Sequence, residues 1–541
     1  MGHFLFFLCA ALAGLLWTAA CTAAAARVQR GWLKALLAAI GAGLPVIAVL
    51  PIVAATSWLA FGMRIQTNWF PHAVTMLLSL LIGGAWIVRA GLGSRDGGDP
   101  PAARWPLVGL VALCMITKAV TVGVLLILDN AVQAQAPYLR LEAANIMHAN
   151  LPPIMAEDRN AAPLHVQAAA AIAADKEFNA GESPIHKQGD VLRDEVTAFL
   201  VRHAATLDTI RRATDRDVCR FTRSWTRPGI DMLLPEIQGM RNEGRLLALA
   251  ARRAAAEGRP ADALADVARI QRLARQAASE PIMISYLVGV AIDHLALATL
   301  AEVLPRMGVD DAPLLDSPEV RDLVERPMEL LPSLYGEEAF GLTMFAGFAD
   351  GGIASANVFE QDSGSARLGD IGPIFRVFFL EGDLVGYRRL MRRFQQLEEA
   401  RDVMRDYAAV KTATDEIERE IAAHPPGVLS TLVVPAVGGV FRTRLRNEAE
   451  HRAAAVLVAA TRQRLAKGIL PLEPAAFVDA SFTMPADPFA AAGKPLAMHR
   501  SDTGLAAYSV GPDGDDDGGP TLPNGGSSDG SDDIGLVMAV E

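Results

Sequence analysis

The chain has 541 residues, 51% of them hydrophobic, 21% charged and only 6% aromatic. A net charge of −11 argues against a nucleic-acid partner, because phosphate binding needs a basic face. Mean hydropathy is +0.24, and the apolar excess lies before residue 130, which excludes an ordinary cytosolic composition and points to a membrane-embedded front end.

In chain order, the first elements are four apolar stretches at residues 4–26, 35–61, 69–88 and 107–128. A bilayer-crossing helix takes about 20 such residues, so 1–128 is expected to be a four-helix transmembrane region. Pro45 and Pro51 predict a kink or tilt in the second stretch. Trp32, Trp58, Trp69 and Trp105 fall near stretch ends, as interfacial aromatics do. The first stretch has no basic residue ahead of it, so it reads as a retained helix; a cleaved signal peptide is the alternative. Arg27, Arg30 and Lys34 in the first loop, and Arg89, Arg95 and Arg104 in the third, place those loops in the cytoplasm. The expected location is therefore a bacterial inner membrane, with both termini and everything after 129 extracytoplasmic. Lys118 sits deep in the fourth stretch, either as a functional charge or as a group met by backbone carbonyls and water.

Residues 129–425 read as an extracytoplasmic α-helical bundle. Pro235, the Gly258-Arg259-Pro260 break and Pro281 punctuate a helical hairpin region at 233–307. Within it Leu264, Val267, Ile270, Leu273 and Ala274 recur at helical spacing and form one apolar face. A long helix is expected over about 384–421, preceded by a Gly/Ser-rich connection at 349–371. The four cysteines show no ligand spacing, and Cys219 reads as a buried thiol. The ten histidines contain no HExxH, and no GxSxG, SxxK, Walker A or GxGxxG motif occurs. Glu337 and Glu338 are adjacent and diverge on a helix, and a polar helix–loop surface accounts for His148, Asp158 and His165. No enzyme chemistry is expected.

Residues 426–541 change character. A short apolar run at 427–441 leads into a charged helix at 442–467, then a Pro-, Gly- and Asp-rich stretch with strand-like pieces at 506–510 and 534–540. Four segments occur in order: Asp487-Pro488-Phe489, Gly493-Lys494-Pro495-Leu496, Tyr508-Ser509-Val510-Gly511-Pro512-Asp513-Gly514, and Ser531-Asp532-Asp533-Ile534. This pattern resembles the C-terminal domain of the major pseudopilin of bacterial type II secretion, over roughly residues 427–541. The family's processed start, Gly-Phe-Thr-Leu-x-Glu, is absent. More loosely, the order of segments is similar to that of uncharacterised bacterial envelope proteins in which a helical domain containing an NAAPL segment (160–164 here) precedes a pseudopilin-like end.

The resemblance implies a small α+β module with calcium bound in this loop. Independently, Asp513-Gly514-Asp515-Asp516-Asp517-Gly518 satisfies DxDxDG, whose carboxylates at positions 1, 3 and 5 can converge on a hard cation. Pro520 and Asn524 at positions 8 and 12 depart from an EF-hand, so the expected set is Asp513, Asp515 and Asp517, closed by Asp532 or Asp533. A solvated acidic tail is the alternative. The whole reads as a mainly α, non-enzymatic, multi-pass membrane protein. It would present a helical scaffold and a calcium-ordered module to envelope or secretion-machinery partners. The alternatives are an envelope enzyme, which requires a deep polar pocket in the helical domain, or a small-solute transporter using Lys118.

Overall fold

The computed structural model describes residues 127–539, apart from 179–182, 187–189, 224, 226–233, 351–375, 401–406, 424–426, 428–429, 431–434, 472, 474–476, 478–481, 491–492, 502–503 and 521–531. The four apolar stretches, with Lys118, lie outside the described residues except for Ile127 and Leu128.

What is described is mainly helical with a three-stranded sheet. In chain order the helices are α1 (Ala136–Asn150), α2 (Ala162–Ala174), α3 (Asp194–Arg202), α4 (Ala204–Thr214), α5 (Pro235–Ala256), α6 (Pro260–Ala277) and α7 (Met283–Val303). They continue with α8 (Pro318–Glu325), α9 (Leu331–Ala349), α10 (Glu381–Glu399), α11 (Tyr407–Ala423) and α12 (Pro435–Lys467). The strands are β1 (Ala497–Arg500), β2 (Gly504–Ser509) and β3 (Ile534–Ala539).

The helix boundaries have local causes. Pro opens α5, α6 and α8, where its fixed φ suits the first turn and its missing N–H costs nothing. Gly258, at φ 74°, ends α5: its N–H reaches Ala255 O at 3.1 Å and the Arg259 N–H reaches Ala254 O at 2.9 Å. Those two bonds form a Schellman closure, which needs a left-handed residue and so favours glycine. Ser317 caps α8 by accepting the Val320 N–H at 3.3 Å.

The chain divides into two compact units. The first comprises Met1–Leu141, Leu342–Arg389 and Arg419–Val434. In its described part, Arg376 grips Asp129 with two bonds of 2.8 and 3.1 Å, Arg140 pairs with Asp350, and Phe345 lies 5.5 Å from Tyr387. Buried Asp383 accepts the Ser430 N–H at 3.0 Å.

The second unit comprises Glu142–Gly341, Leu390–Glu418 and Pro435–Glu541, so the Pro435–Glu541 segment shares a core with the hairpin region. Helices α5, α6 and α7 pack on one another, and α2 lies against α4 and α5. The face Leu264, Val267, Ile270, Leu273 and Ala274 is buried as its spacing predicts, each large side chain contributing roughly 1.5–3 kcal/mol. Helix α7 is apolar nearly all round because it is enclosed by α5 and α6, by α12 and by β3. Met283–Arg306, which contains it, is among the described residues the one helix long and apolar enough to cross a bilayer by length and composition, with mean hydropathy 1.8; 72% of that window is buried inside the protein.

The helical pattern expected at 384–421 is described on either side of 401–406 as α10 and α11, with 401–406 outside the described residues. One element differs from expectation. The charged helix expected at 442–467 begins at Pro435, because the second half of the preceding apolar run supplies its first turns and buries Val440 and Phe441. The sheet is antiparallel in the order β1-β2-β3, with Ala497 opposite Tyr508 and Ser509 opposite Ile534. β2 is buried along its whole length, since it is the central strand and α12 covers the sheet.

Candidate functional site

The segments that carry the resemblance are joined by specific bonds. Asp487 is buried, and its Oδ1 accepts the Phe489 N–H at 2.8 Å and the Ser509 hydroxyl at 2.5 Å, while its Oδ2 accepts the Val510 N–H at 3.0 Å. The Asp487 N–H donates to Lys494 O at 2.7 Å, beside a bridge between Ala486 and Pro495. One buried carboxylate therefore ties the Asp-Pro-Phe turn to the end of β2, where the acidic loop begins. Gly511 follows at φ 70°; a Cβ there would stand 2.2 Å from Asp532 O, so only glycine lets the two ends of the loop approach.

This approach brings Asp513, Asp517 and Asp532 together, each offering a carboxylate oxygen within 4.8 Å of the others. Among the described residues none of the three has a basic partner. Asp532 Oδ1 is buried without a hydrogen-bond partner among the described residues. Burial, and then the neighbouring Asp513 carboxylate, push the Asp532 carboxyl above its usual range. Three hard oxygen donors at this separation could hold a metal ion, which would relieve their repulsion.

The other expected ligands lie apart from this group. Asp515 is exposed, and its N–H donates to Asp513 Oδ1 at 3.0 Å. Asp533 turns the other way: its Oδ2 accepts the Asp517 N–H at 3.1 Å and the Gly519 N–H at 2.7 Å. Burial, together with Asp516 and Asp517, pushes the Asp533 carboxyl up to about 6. Asp516 accepts the Tyr508 hydroxyl at 2.9 Å, and burial followed by that contact pushes the phenol up.

The bundle holds a second class of polar group. His165 is not on a polar surface, in contrast to His148 and Asp158, which are exposed. It is fully buried, because α2 packs its inner face on α5, with Nδ1 2.7 Å from Glu243 and Nε2 2.9 Å from Gln276. Burial alone would depress the imidazole; the Glu243 carboxylate holds it above its ordinary value. Buried Glu280 meets Arg223 at 2.5 Å, and Arg223 also pairs with Glu236 at 3.0 Å. Burial nonetheless pushes the Glu280 carboxyl up. It does the same to Glu337, whereas Glu338 accepts the Gln395 amide at 2.7 Å. Cys219 is buried and free, and its thiol is pushed up by burial, which makes it a poor nucleophile.

Sequence reasoning missed a network between α7 and α12. Asp293, fully buried on α7, accepts from Asn447 at 2.7 Å and meets His451 Nε2 at 2.6 Å. One position on, His294 pairs with Glu450 at 3.1 Å. Burial would raise Glu450, but His294 and Arg446 hold it below the usual range. The available signal was Asp293 itself, an acid midway along an apolar helix, where burial demands a partner. Beside this network a cleft of about 590 Å³ opens between the α8–α9 connection, the end of α10 and α12. Arg444, Glu448, His451 and Arg452, from successive turns of α12, form one wall.

Comparison with family models, curated proteins and solved structures gives no match.

Proposed function

We propose that the chain is a multi-pass inner-membrane protein with no catalytic activity of its own. Its extracytoplasmic helical body carries a pseudopilin-like module, ordered by calcium, toward envelope or secretion-machinery partners. The four apolar stretches before residue 129 support the anchor. A long helix leading into a three-stranded antiparallel sheet, with the Asp487 tie at its centre, supports the pseudopilin-like reading.

The observation that carries the proposal is the convergence of Asp513, Asp517 and Asp532 within 4.8 Å, with one buried oxygen that has no hydrogen-bond partner among the described residues. Asp513 and Asp517 lie just after β2 and Asp532 just before β3, so a cation held by all three would staple the two strand ends. Calcium would supply charge and coordination there; the chain supplies Gly511, which permits the approach, and the Asp533 cradle, which fixes the backbone at 517 and 519.

The test is calorimetric calcium titration of the full chain in detergent, because Pro435–Glu541 shares its core with Glu142–Gly341 and is not a separate unit. One saturable site, absent from an Asp513→Asn/Asp532→Asn variant, is the expected result. No heat in either protein would leave the loop a solvated acidic segment and remove the calcium part of the proposal.

A further inference from the structure

The cleft beside α12 has a chemistry that nothing in the scaffold reading uses. His451 lines it, with its side chain only 2% exposed. A carboxylate can only accept, and Asp293 Oδ2 already accepts from the Asn447 amide, so His451 Nε2 carries the hydrogen that points to Asp293. That leaves Nδ1 as a bare acceptor. It is buried, and no group among the described residues donates to it. A buried acceptor without a donor carries a cost that an N–H from a ligand would remove.

The charges of the cleft say which ligand. Its lining holds five glutamates, Glu325, Glu329, Glu398, Glu399 and Glu448, against two arginines. Both arginines are already engaged: Arg444 lies 2.7 Å from Glu398 and 3.1 Å from Glu448, and Arg452 pairs with Glu448 and donates to Ala486 O at 2.6 Å. Glu325 and Glu329 are exposed and have no ion pair among the described residues. Glu399 accepts the neutral Tyr335 hydroxyl at 2.6 Å and has no ion pair among the described residues. The uncommitted charge is therefore negative, and the uncommitted buried atom is an acceptor.

A metal ion would need more preorganisation than this. Among the described residues only Asp513, Asp517 and Asp532 form a three-ligand set, so His451 has no such set around it. Val324, Pro327, Leu330 and Leu331 give the cleft an apolar strip, suited to methylene groups. The volume is within the roughly 300–1,000 Å³ of small-molecule sites.

We propose that this cleft binds a small aliphatic diamine, one ammonium donating to His451 Nδ1 and the other lying among Glu325, Glu329 and Glu399, with the methylenes on the Leu330–Leu331 strip. Asp293 and Asn447 are positioning residues that hold the imidazole in the accepting tautomer.

The experiment is calorimetry of the full chain in detergent with putrescine, butylamine and magnesium chloride. Putrescine binds saturably, and butylamine, with one ammonium, binds about tenfold more weakly. A Glu325→Gln/Glu329→Gln variant, changed only at exposed positions, keeps the wild-type melting temperature and binds putrescine about tenfold more weakly. An Asp513→Asn variant binds it as wild type does, which separates the cleft from the acidic loop. The proposal is overturned if wild type gives no heat with putrescine, or if the Glu325/Glu329 variant binds undiminished. Loss of binding in the Asp513→Asn variant, or saturable magnesium binding that displaces putrescine, overturns it equally.

Discussion

The bundle and the terminal loop both crowd carboxylates, and they surround them differently. In the bundle five buried acids have a polar or cationic neighbour within the fold: Asp293 has His451 and Asn447, Glu243 has His165, Glu280 has Arg223, Glu398 has Arg444, and Glu450 has His294. In the loop Asp513, Asp517 and Asp532 face one another without a basic partner among the described residues. The lesson is physical. A helix core that brings its own cations pairs its buried acids as it folds, while a loop of like charges leaves a repulsion that a cation from solution would relieve.

The most damaging way to break this contrast is to take a cation out of the bundle. Arg223→Ala strands the buried Glu280, and the expected loss is about 3–5 kcal/mol, measured by urea denaturation of the full chain. Loss below 1 kcal/mol would mean that Glu280 does not depend on its partner. In the loop the same kind of change has the opposite sign. Asp513→Asn/Asp532→Asn removes repulsion, so without calcium the variant melts no lower than wild type. With calcium at a hundredfold its dissociation constant, wild type gains about 2.7 kcal/mol and the variant gains nothing.

Asn447→Ala removes both a donor to Asp293 and the acceptor of the Met328 N–H at 2.9 Å. It should cost about 1–3 kcal/mol, again by denaturation, and a value near zero would count against the α7–α12 network as a source of stability.

A pH series sharpens the comparison further. His165 is held above its ordinary value in the folded protein by Glu243. Its contribution is therefore complete below the unfolded imidazole range near about 6.5 and is lost as pH rises through the folded value, by no more than about 1.4 kcal/mol per pH unit. Thermal melts between pH 5.5 and 9 should show this decline in wild type and a flatter profile in His165→Gln; parallel curves would speak against the coupling. The smallest effect belongs to Asp515→Asn, which should leave calcium affinity within about twofold, because Asp515 points to solvent and contributes only a backbone N–H.

These contrasts also mark what the sequence reveals. The boundaries of α5 and α6 were legible because Pro235, Gly258 and Pro260 act locally. β2 and β3 fall where strand-like runs were seen, but β1 was missed. Its sequence, Ala-Met-His-Arg, has little strand character and is extended because it pairs with β2. In the loop, the Asp-x-Asp-x-Asp-Gly spacing pointed to Asp513 and Asp517. Spacing cannot say that Asp515 faces out, or that the adjacent Asp532 and Asp533 serve opposite sides of an extended backbone, one toward the triad and one toward the N–H groups of 517 and 519. The buried networks were illegible for a different reason: His165 and Glu243 are 78 residues apart, and Asp293 and His451 are 158 apart. Only the packing of α2 on α5 and of α12 on α7 makes them pairs.

The most direct measurement is hydrogen–deuterium exchange of the full chain in detergent, in calcium and in chelator. The account predicts that calcium slows exchange in peptides covering residues 511–533, with β2 and β3 changed less and the α5–α7 core unchanged. Equal exchange in the loop under both conditions would contradict it, since the loop would then need no cation to complete it.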